Sequence, residues 1–250
     1  MTLARLHLVR NAARAATYLG YLLRPRSPAD DLYPFDVPSG VIPGPDPDRV
    51  VVLGEATAIG YGVLTHELGL AGQFARRLAR STGRGVEWSA HGIRDSRLRH
   101  APELIATIGA TLEQTDYVVL MVGIVDTLAL TTRAAWRREL QETLDALLLY
   151  LPMDARVLIA EAPPLGRAAI ISPLERLASS SQVRALNGVS RAVAADRPRC
   201  ETVAFPDDLH QEMWSTHPLP ASYAAMYGKW AAALAHAPGV KDRDGVGEPK

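Results

Sequence analysis

The sequence predicts an α/β fold in which helices cover both faces of a central parallel sheet. The first observation is a set of short apolar, β-branched runs, such as residues 50–53 and 116–122, typical of strands buried on both faces. The second is that helical patterns alternate with these runs, as in right-handed strand-helix-strand units. A chain of 250 residues can hold one such domain with attached segments.

The N-terminal segment, residues 1–24, is predicted to be an amphipathic helix. Leucines and alanines share one face of the helical wheel, and Arg10, Arg14 and Arg24 lie on the other. No apolar run reaches the roughly 18 residues that span a bilayer, and no cleavage site marks a signal peptide. We expect a cytoplasmic protein whose helix docks on its own domain, binds a protein partner or lies on a membrane surface, where the protein would be peripheral.

Residues 25–48 are rich in proline and are predicted to form an extended linker, since proline excludes a helix or a central strand. The main domain is expected at residues 49–237. Residues 238–250 are nearly free of apolar side chains and are predicted to be a disordered tail.

Within the main domain, strands and helices are predicted in alternation. Thr132 is expected to cap one helix, Pro152 to stop it, and Pro218 to lie in the first turn of the last helix. After the strand at 50–53, the predicted strands are residues 86–90, 116–122, 156–160 and 201–204, and the predicted helices are residues 70–81, 97–113, 131–151, 173–195 and 218–236.

Composition excludes several function classes. Lys plus Arg and Asp plus Glu both number 27, so bulk charge does not favour nucleic acid as a partner. Cys200 is the single cysteine, which excludes an internal disulfide and a cysteine metal cluster. We expect it to be a core residue beside the last strand, and we expect no cofactor and no metal.

The segment GEATAIGYG, residues 54–62, resembles the first block of the SGNH (GDSL) esterase and lipase superfamily, G-D-S-x-x-x-G-x-G. Further blocks follow in family order at residues 91–98, 118–128, 161–167 and 217–231. The resemblance covers residues 49–235 and implies the family's flavodoxin-like three-layer α/β/α sandwich with a central parallel sheet.

The same resemblance places Ala56 at the position of the serine nucleophile. A methyl group cannot attack a carbonyl, so this function is lost there. Glu55 replaces the family aspartate, whose role is to hold the turn. Thr57 carries a neighbouring hydroxyl, but one position along a sharp turn its side chain is expected to point elsewhere.

In the family, the oxyanion is held by the serine N–H, by a block-two glycine N–H and by a block-three asparagine. These positions correspond to Ala56, Asp95 and Val125, and Gly92 matches the first block-two glycine. A carboxylate at Asp95 has the wrong sign beside an oxyanion, unless it pairs with Arg94, Arg97 or Arg99. Val125 has no donor. Asp126 is retained, and we expect it to cap a helix or loop.

The last block retains the family histidine as His217, but its acid partner is replaced by Trp214. Tryptophan donates a hydrogen bond and cannot accept one, so it cannot orient the imidazole. Asp207 and His210 have the family D-x-x-H spacing, and they form an alternative dyad seven residues too early for the final helix.

Loss at four positions predicts a natural pseudoenzyme that serves as a binding or scaffolding subunit. Its pocket, with Glu55, Thr57, Gly92 and Asp126, is expected to hold an acyl or glycan group. The alternative is an active esterase or acyltransferase in which Thr57 or another hydroxyl acts with His210 or His217. Metal-assisted hydrolysis would use Glu55, Asp95, Asp126, His91 and His217, but no metal-ligand spacing supports it.

Overall fold

The computed structural model describes residues 32–165, 173–206, 209 and 220–241, with no side-chain description for 173–178, 220–221 and 241. The predicted helix at residues 1–24 and the first part of the predicted linker therefore lie outside the described residues. No helix within the described ranges is long and apolar enough to cross a membrane.

A six-stranded, mostly parallel sheet forms the centre of the domain. The strands follow the spatial order β1-β3-β2-β4-β5-β6. All pairs are parallel except β1 with β3. This arrangement confirms the predicted fold class. The strands are β1 (Ser39–Ile42), β2 (Asp48–Gly54), β3 (Val86–Gly92), β4 (Tyr117–Met121), β5 (Arg156–Ala160) and β6 (Cys200–Val203).

Strand β1 was not predicted, because it lies inside the proline-rich segment. It pairs antiparallel with β3, Ser39 opposite Ser89 and Ile42 opposite Val86. A proline-flanked segment can still add to the edge of a sheet, where only one side of the strand needs partners. The sheet therefore begins before residue 49, inside the range predicted as linker.

Helices fill the connections between the strands, as predicted. Thr132 caps the helix Arg133–Tyr150, since its Oγ1 accepts the Ala135 N–H at 3.1 Å. One predicted helix is split: residues 97–113 form a 3₁₀ turn and two short helices that meet at Ile108, where the backbone leaves the helical region (φ −102°, ψ 16°). The helices are α1 (Leu70–Thr82), α2 (Ala101–Thr107), α3 (Gly109–Leu112), α4 (Ile124–Leu128), α5 (Arg133–Tyr150), α6 (Pro173–Ala195), α7 (Pro220–Ala235) and α8 (Pro238–Lys241).

Two apolar cores lie on opposite faces of the sheet. Alternate residues of β2 divide between them: Val50 and Val52 face one core, and Val51 and Leu53 face the other. The first core is completed by side chains of α1 and α7, and the second by side chains of α2, α5 and α6. This is a three-layer α/β/α sandwich, which leaves the carboxyl ends of the parallel strands at one edge.

Two features near the C-terminal end bear on the predictions. Val240 in α8 is buried, and the Gly239 N–H donates to Glu201 at 2.9 Å. The first residues of the predicted tail are therefore packed on the domain.

Cys200 in β6 is also buried, and burial raises the pKa of its thiol to about 11. This burial fits the core role expected for the residue.

Candidate active site

The loop after β2 lies at the carboxyl edge of the sheet, where ligands bind in open α/β folds. Gly54 ends the strand, and a Cβ there would collide with the Met121 carbonyl of β4. Glu55 N–H donates to the same carbonyl oxygen at 2.9 Å, and Tyr61 N–H closes the turn on the Ala56 carbonyl at 3.0 Å. Ala56, at the family nucleophile position, therefore lies in a tightly bonded turn and is half-buried.

Glu55 joins this loop to the start of α4. Its side chain is buried, and its carboxylate accepts the backbone N–H of Ile124 at 2.7 Å and of Val125 at 3.0 Å. Burial raises the pKa of Glu55 to about 8, against the two N–H donors, which favour the ionised form. The carboxylate faces the helix, as expected for a residue that holds the turn.

Val125 supplies no oxyanion donor from its side chain, and its backbone N–H is already used by Glu55. The side chain is apolar and buried. In the family arrangement an asparagine amide stands here. The described residues thus retain the framework of the block without its polar group.

The Asp126 carboxylate is enclosed by neighbouring protein groups and does not line an open pocket. Its side chain has no exposed surface. One oxygen lies 2.8 Å from Arg97 Nε and accepts Thr131 Oγ1 at 2.8 Å, and the other accepts the Leu98 N–H at 3.1 Å. Asp126 therefore fastens the segment before α2 to the end of α4, consistent with the cap role expected for it and not with ligand binding.

Asp95 lies in an exposed turn with a left-handed backbone (φ 53°). Its carboxylate is 3.6 Å from His100 Nε2. The expected pairing with Arg94, Arg97 or Arg99 is wrong. Arg94 bonds Glu103, Arg97 turns inward to Asp126, and Arg99 Nε lies 3.1 Å from His100 Nε2. The sequence could not show that Arg97, only two residues from Asp95, would pair with the buried carboxylate of Asp126.

The other predicted site residues have different surroundings. Thr57 is buried, and its hydroxyl has no hydrogen bond to any described residue, whereas Gly92 is exposed at the end of β3. His217, Trp214 and the alternative dyad Asp207–His210 lie outside the described residues, so their placement stays a prediction.

Comparison with known proteins decides the family. The sequence matches the model of the GDSL-like lipase/acylhydrolase family over residues 52–225. The chain belongs to this family. The comparison with curated proteins gave no significant match.

Several solved structures share the fold of this GDSL-family chain. A lipolytic G-D-S-L protein from Veillonella parvula DSM 2008 has a TM-score of 0.55 at 15% identity, covering 74% of this chain and 97% of its own. TesA has 0.52 at 19%, covering 75% and 98%. Phospholipase A1 from Streptomyces albidoflavus NA297 has 0.51 at 15%, covering 75% and 99%. At these identities the similarity is one of fold alone.

Two histidines near the site of this GDSL-family chain were not singled out together by the sequence. His66 Nδ1 lies 2.9 Å from Asp36 Oδ1, and His91 Nε2 lies 3.0 Å from Ser89 Oγ. The spacing of Ser89 and His91, two residues apart in a strand, puts both on one face and could have indicated their contact. No local signal connects Asp36 with His66, thirty positions later.

The residues considered for metal-assisted hydrolysis do not converge. Glu55 faces α4, Asp126 faces Arg97, and Asp95 lies in an exposed turn. Throughout the described ranges, no group of three or more His, Cys, Asp or Glu side chains has the arrangement of a metal site. This geometry lends no support to metal-assisted chemistry among those residues.

Proposed function

We propose that this GDSL-family protein has lost serine-esterase chemistry and acts as a binding or scaffolding subunit. The observation that carries the proposal is Ala56 in the loop after β2, at the position of the family nucleophile and within an otherwise well-formed turn. An alanine methyl group has no lone pair with which to attack an acyl carbon.

The oxyanion side of the site supports the same proposal. Loss of one oxyanion donor lowers the turnover of a serine hydrolase by about a hundredfold to a thousandfold. Val125 lacks the side-chain donor, and its N–H is held by Glu55. The polar groups that would stabilise the transition state are therefore altered as well as the nucleophile.

The protein is proposed to keep a pocket at the carboxyl edge of the sheet for an acyl or glycan group. Gly92 stays exposed at this edge and leaves room for a ligand, while Ala56 is only half-buried. The basic amphipathic segment at residues 1–24 is proposed to bind a protein partner or a membrane surface.

A second candidate function is an active esterase or acyltransferase with rearranged residues. The observation that favours it is the hydroxyl–imidazole contact of Ser89 with His91. Burial lowers the pKa of His91, so its imidazole is neutral and able to accept a proton. No carboxylate among the described residues hydrogen-bonds His91, which leaves the pair without the third member of a triad.

Labelling by a fluorophosphonate probe separates the two candidates, because the probe reacts only with an activated hydroxyl. We expect no labelling of the full-length wild-type protein. Labelling that disappears in Ser89→Ala, or in Thr57→Val, would establish the active candidate, and Ser81→Ala on α1 is the matched control for loss of a serine away from the edge.

A further inference from the structure

A groove of about 420 Å³ lies between residues 33–38 and the carboxyl end of β3. Its walls are mainly apolar and include Pro34, Ile59 and Leu104. His66 and His91 also line it. The groove thus combines an apolar interior with two hydrogen-bonding groups, which is the usual make-up of a small-molecule site.

Asp36 determines which nitrogen of His66 carries a proton. Its carboxylate accepts the His66 backbone N–H at 3.0 Å and lies 2.9 Å from Nδ1. Although burial opposes it, these bonds lower the pKa of Asp36, so the carboxylate is ionised and can only accept. Nδ1 must therefore be the protonated nitrogen, and in the neutral ring Nε2 holds the free lone pair.

Nε2 of His66 is available to a ligand. It makes no hydrogen bond to another described residue. The His66 side chain is mostly enclosed, with 9% of its surface exposed. Because Nδ1 is held by Asp36, Nε2 is the one ring acceptor that His66 can offer to a ligand in the groove, which favours a ligand with a donor.

The charges around the groove argue against an anionic ligand. No lysine or arginine is among the described residues that line it. His91 is kept neutral, because burial lowers its pKa. Asp36, directly behind His66, adds a negative charge. An anion entering this groove would lose hydration without gaining a cationic partner.

We propose that the groove binds a neutral, largely apolar ligand through a hydroxyl group that donates to Nε2 of His66. Asp36 is a positioning residue, since it holds the tautomer and the ring orientation. The inference rests on the proposed function in taking this edge of the sheet as a binding site, and it does not require the loss of esterase chemistry.

Three related probes test the proposal on the full-length protein at about pH 8.5, where histidine rings are ordinarily neutral. They are 2-naphthylmethanol, its methyl ether, which lacks the donor, and the anion 2-naphthoate. Binding is followed through the side-chain nitrogen resonances of ¹⁵N-labelled histidine. We expect the alcohol to shift the Nε2 resonance of His66 and to bind at least about fivefold more tightly than either other probe, the value of one hydrogen bond.

Variants of the protein provide a second test of the proposal. His66→Phe is expected to weaken binding of the alcohol at least about fivefold, and Asp36→Asn is expected to change the tautomer signature of His66. His236→Gln is the matched control, because His236 is exposed just after the end of α7 and its Nδ1 contacts the Ala232 carbonyl of that helix. The comparison of alcohol with ether uses wild-type protein alone, so it holds even if a variant misfolds.

Equal binding of alcohol and ether, tighter binding of naphthoate, or no response of His66 to the alcohol would overturn the inference. These results do not depend on whether esterase chemistry is lost. Ester turnover by the wild-type protein would contradict the loss of catalysis. It would not change what the ligand titration shows about binding in the groove.

Discussion

The Glu55 carboxylate accepts the backbone N–H of Val125 at 3.0 Å, and this bond joins the loop after β2 to the start of α4. The two positions belong to the first and third sequence blocks of the family, about seventy residues apart. The bond holds the two blocks in place, while the Val125 side chain, at the position of the family asparagine, has no hydrogen-bond donor. The framework of the site is thereby maintained by contacts that do not serve catalysis.

Glu55 is predicted to make stability depend on pH. Its pKa is raised from 4.5 to about 8, so the folded protein holds the proton where the unfolded chain releases it. This contribution is complete below about pH 4.5 and is lost as pH rises through about 8, with an upper limit of roughly 5 kcal/mol. Urea unfolding of wild type and Glu55→Gln should show a stability difference that shrinks with rising pH.

Glu139→Gln serves as the control for this measurement, since burial also raises the pKa of Glu139, but that side chain lies on α5 away from the loop. A wild-type advantage over Glu55→Gln that grows toward alkaline pH would show that the ionised carboxylate is the stable form.

Asp126 is predicted to be essential for folding stability. Asp126→Ala leaves Arg97 enclosed without its carboxylate and should lower the free energy of unfolding by about 3 to 5 kcal/mol. Glu103→Ala removes a comparable contact, 2.9 Å from Arg94, at an exposed position, and should cost less than about 1 kcal/mol. Chemical denaturation of both variants checks the contrast, and similar losses would refute it.

Gly62 is predicted to be indispensable for the site loop. Its φ is +87°, and a Cβ there would meet the ring of Tyr223 at 2.4 Å or more. Gly83 ends α1 with φ +70° and has open space around it. Gly83→Ala should therefore cost about 1 kcal/mol for the backbone alone, and Gly62→Ala at least about 2 kcal/mol. Equal thermal shifts in the two variants would show that the ring moves aside freely.

Restoring the serine alone is predicted to be insufficient for catalysis. Ala56→Ser supplies a hydroxyl, but Val125 still lacks a donor and Trp214 cannot orient the histidine. Adding Val125→Asn and Trp214→Asp should raise p-nitrophenyl ester turnover by about a hundredfold or more over Ala56→Ser. If the single variant matches the triple one, the other two positions do not limit the rate.

The layered fold could be predicted because its signals are local. The β-branched run at residues 50–53 and the Thr132 cap depend only on neighbouring residues, and both appear in the structure as expected. Strand β1 could not be predicted from its own sequence. It pairs with the free edge of β3, to which a proline-rich segment can add. The composition of the segment does not indicate this pairing.

The site was predictable in its framework and not in its partners. Block spacing predicted Ala56, Glu55 and Val125 as site residues, and in the structure Glu55 accepts the Val125 N–H, which joins the first block to the third. The partners of Asp95 and Asp126 were not predictable, since three arginines lie within a few residues and burial alone selects Arg97. The Asp36–His66 contact was missed for a different reason, because it joins residues thirty positions apart with no local signal between them.

The most direct test of the central claim is hydrolysis of p-nitrophenyl esters by the purified full-length protein, measured beside His217→Ala. We predict that the wild-type rate equals the variant rate, at the level of non-enzymatic hydrolysis. A wild-type rate clearly above this level that vanishes in His217→Ala would contradict the account, because it would require a working nucleophile activated by the retained family histidine.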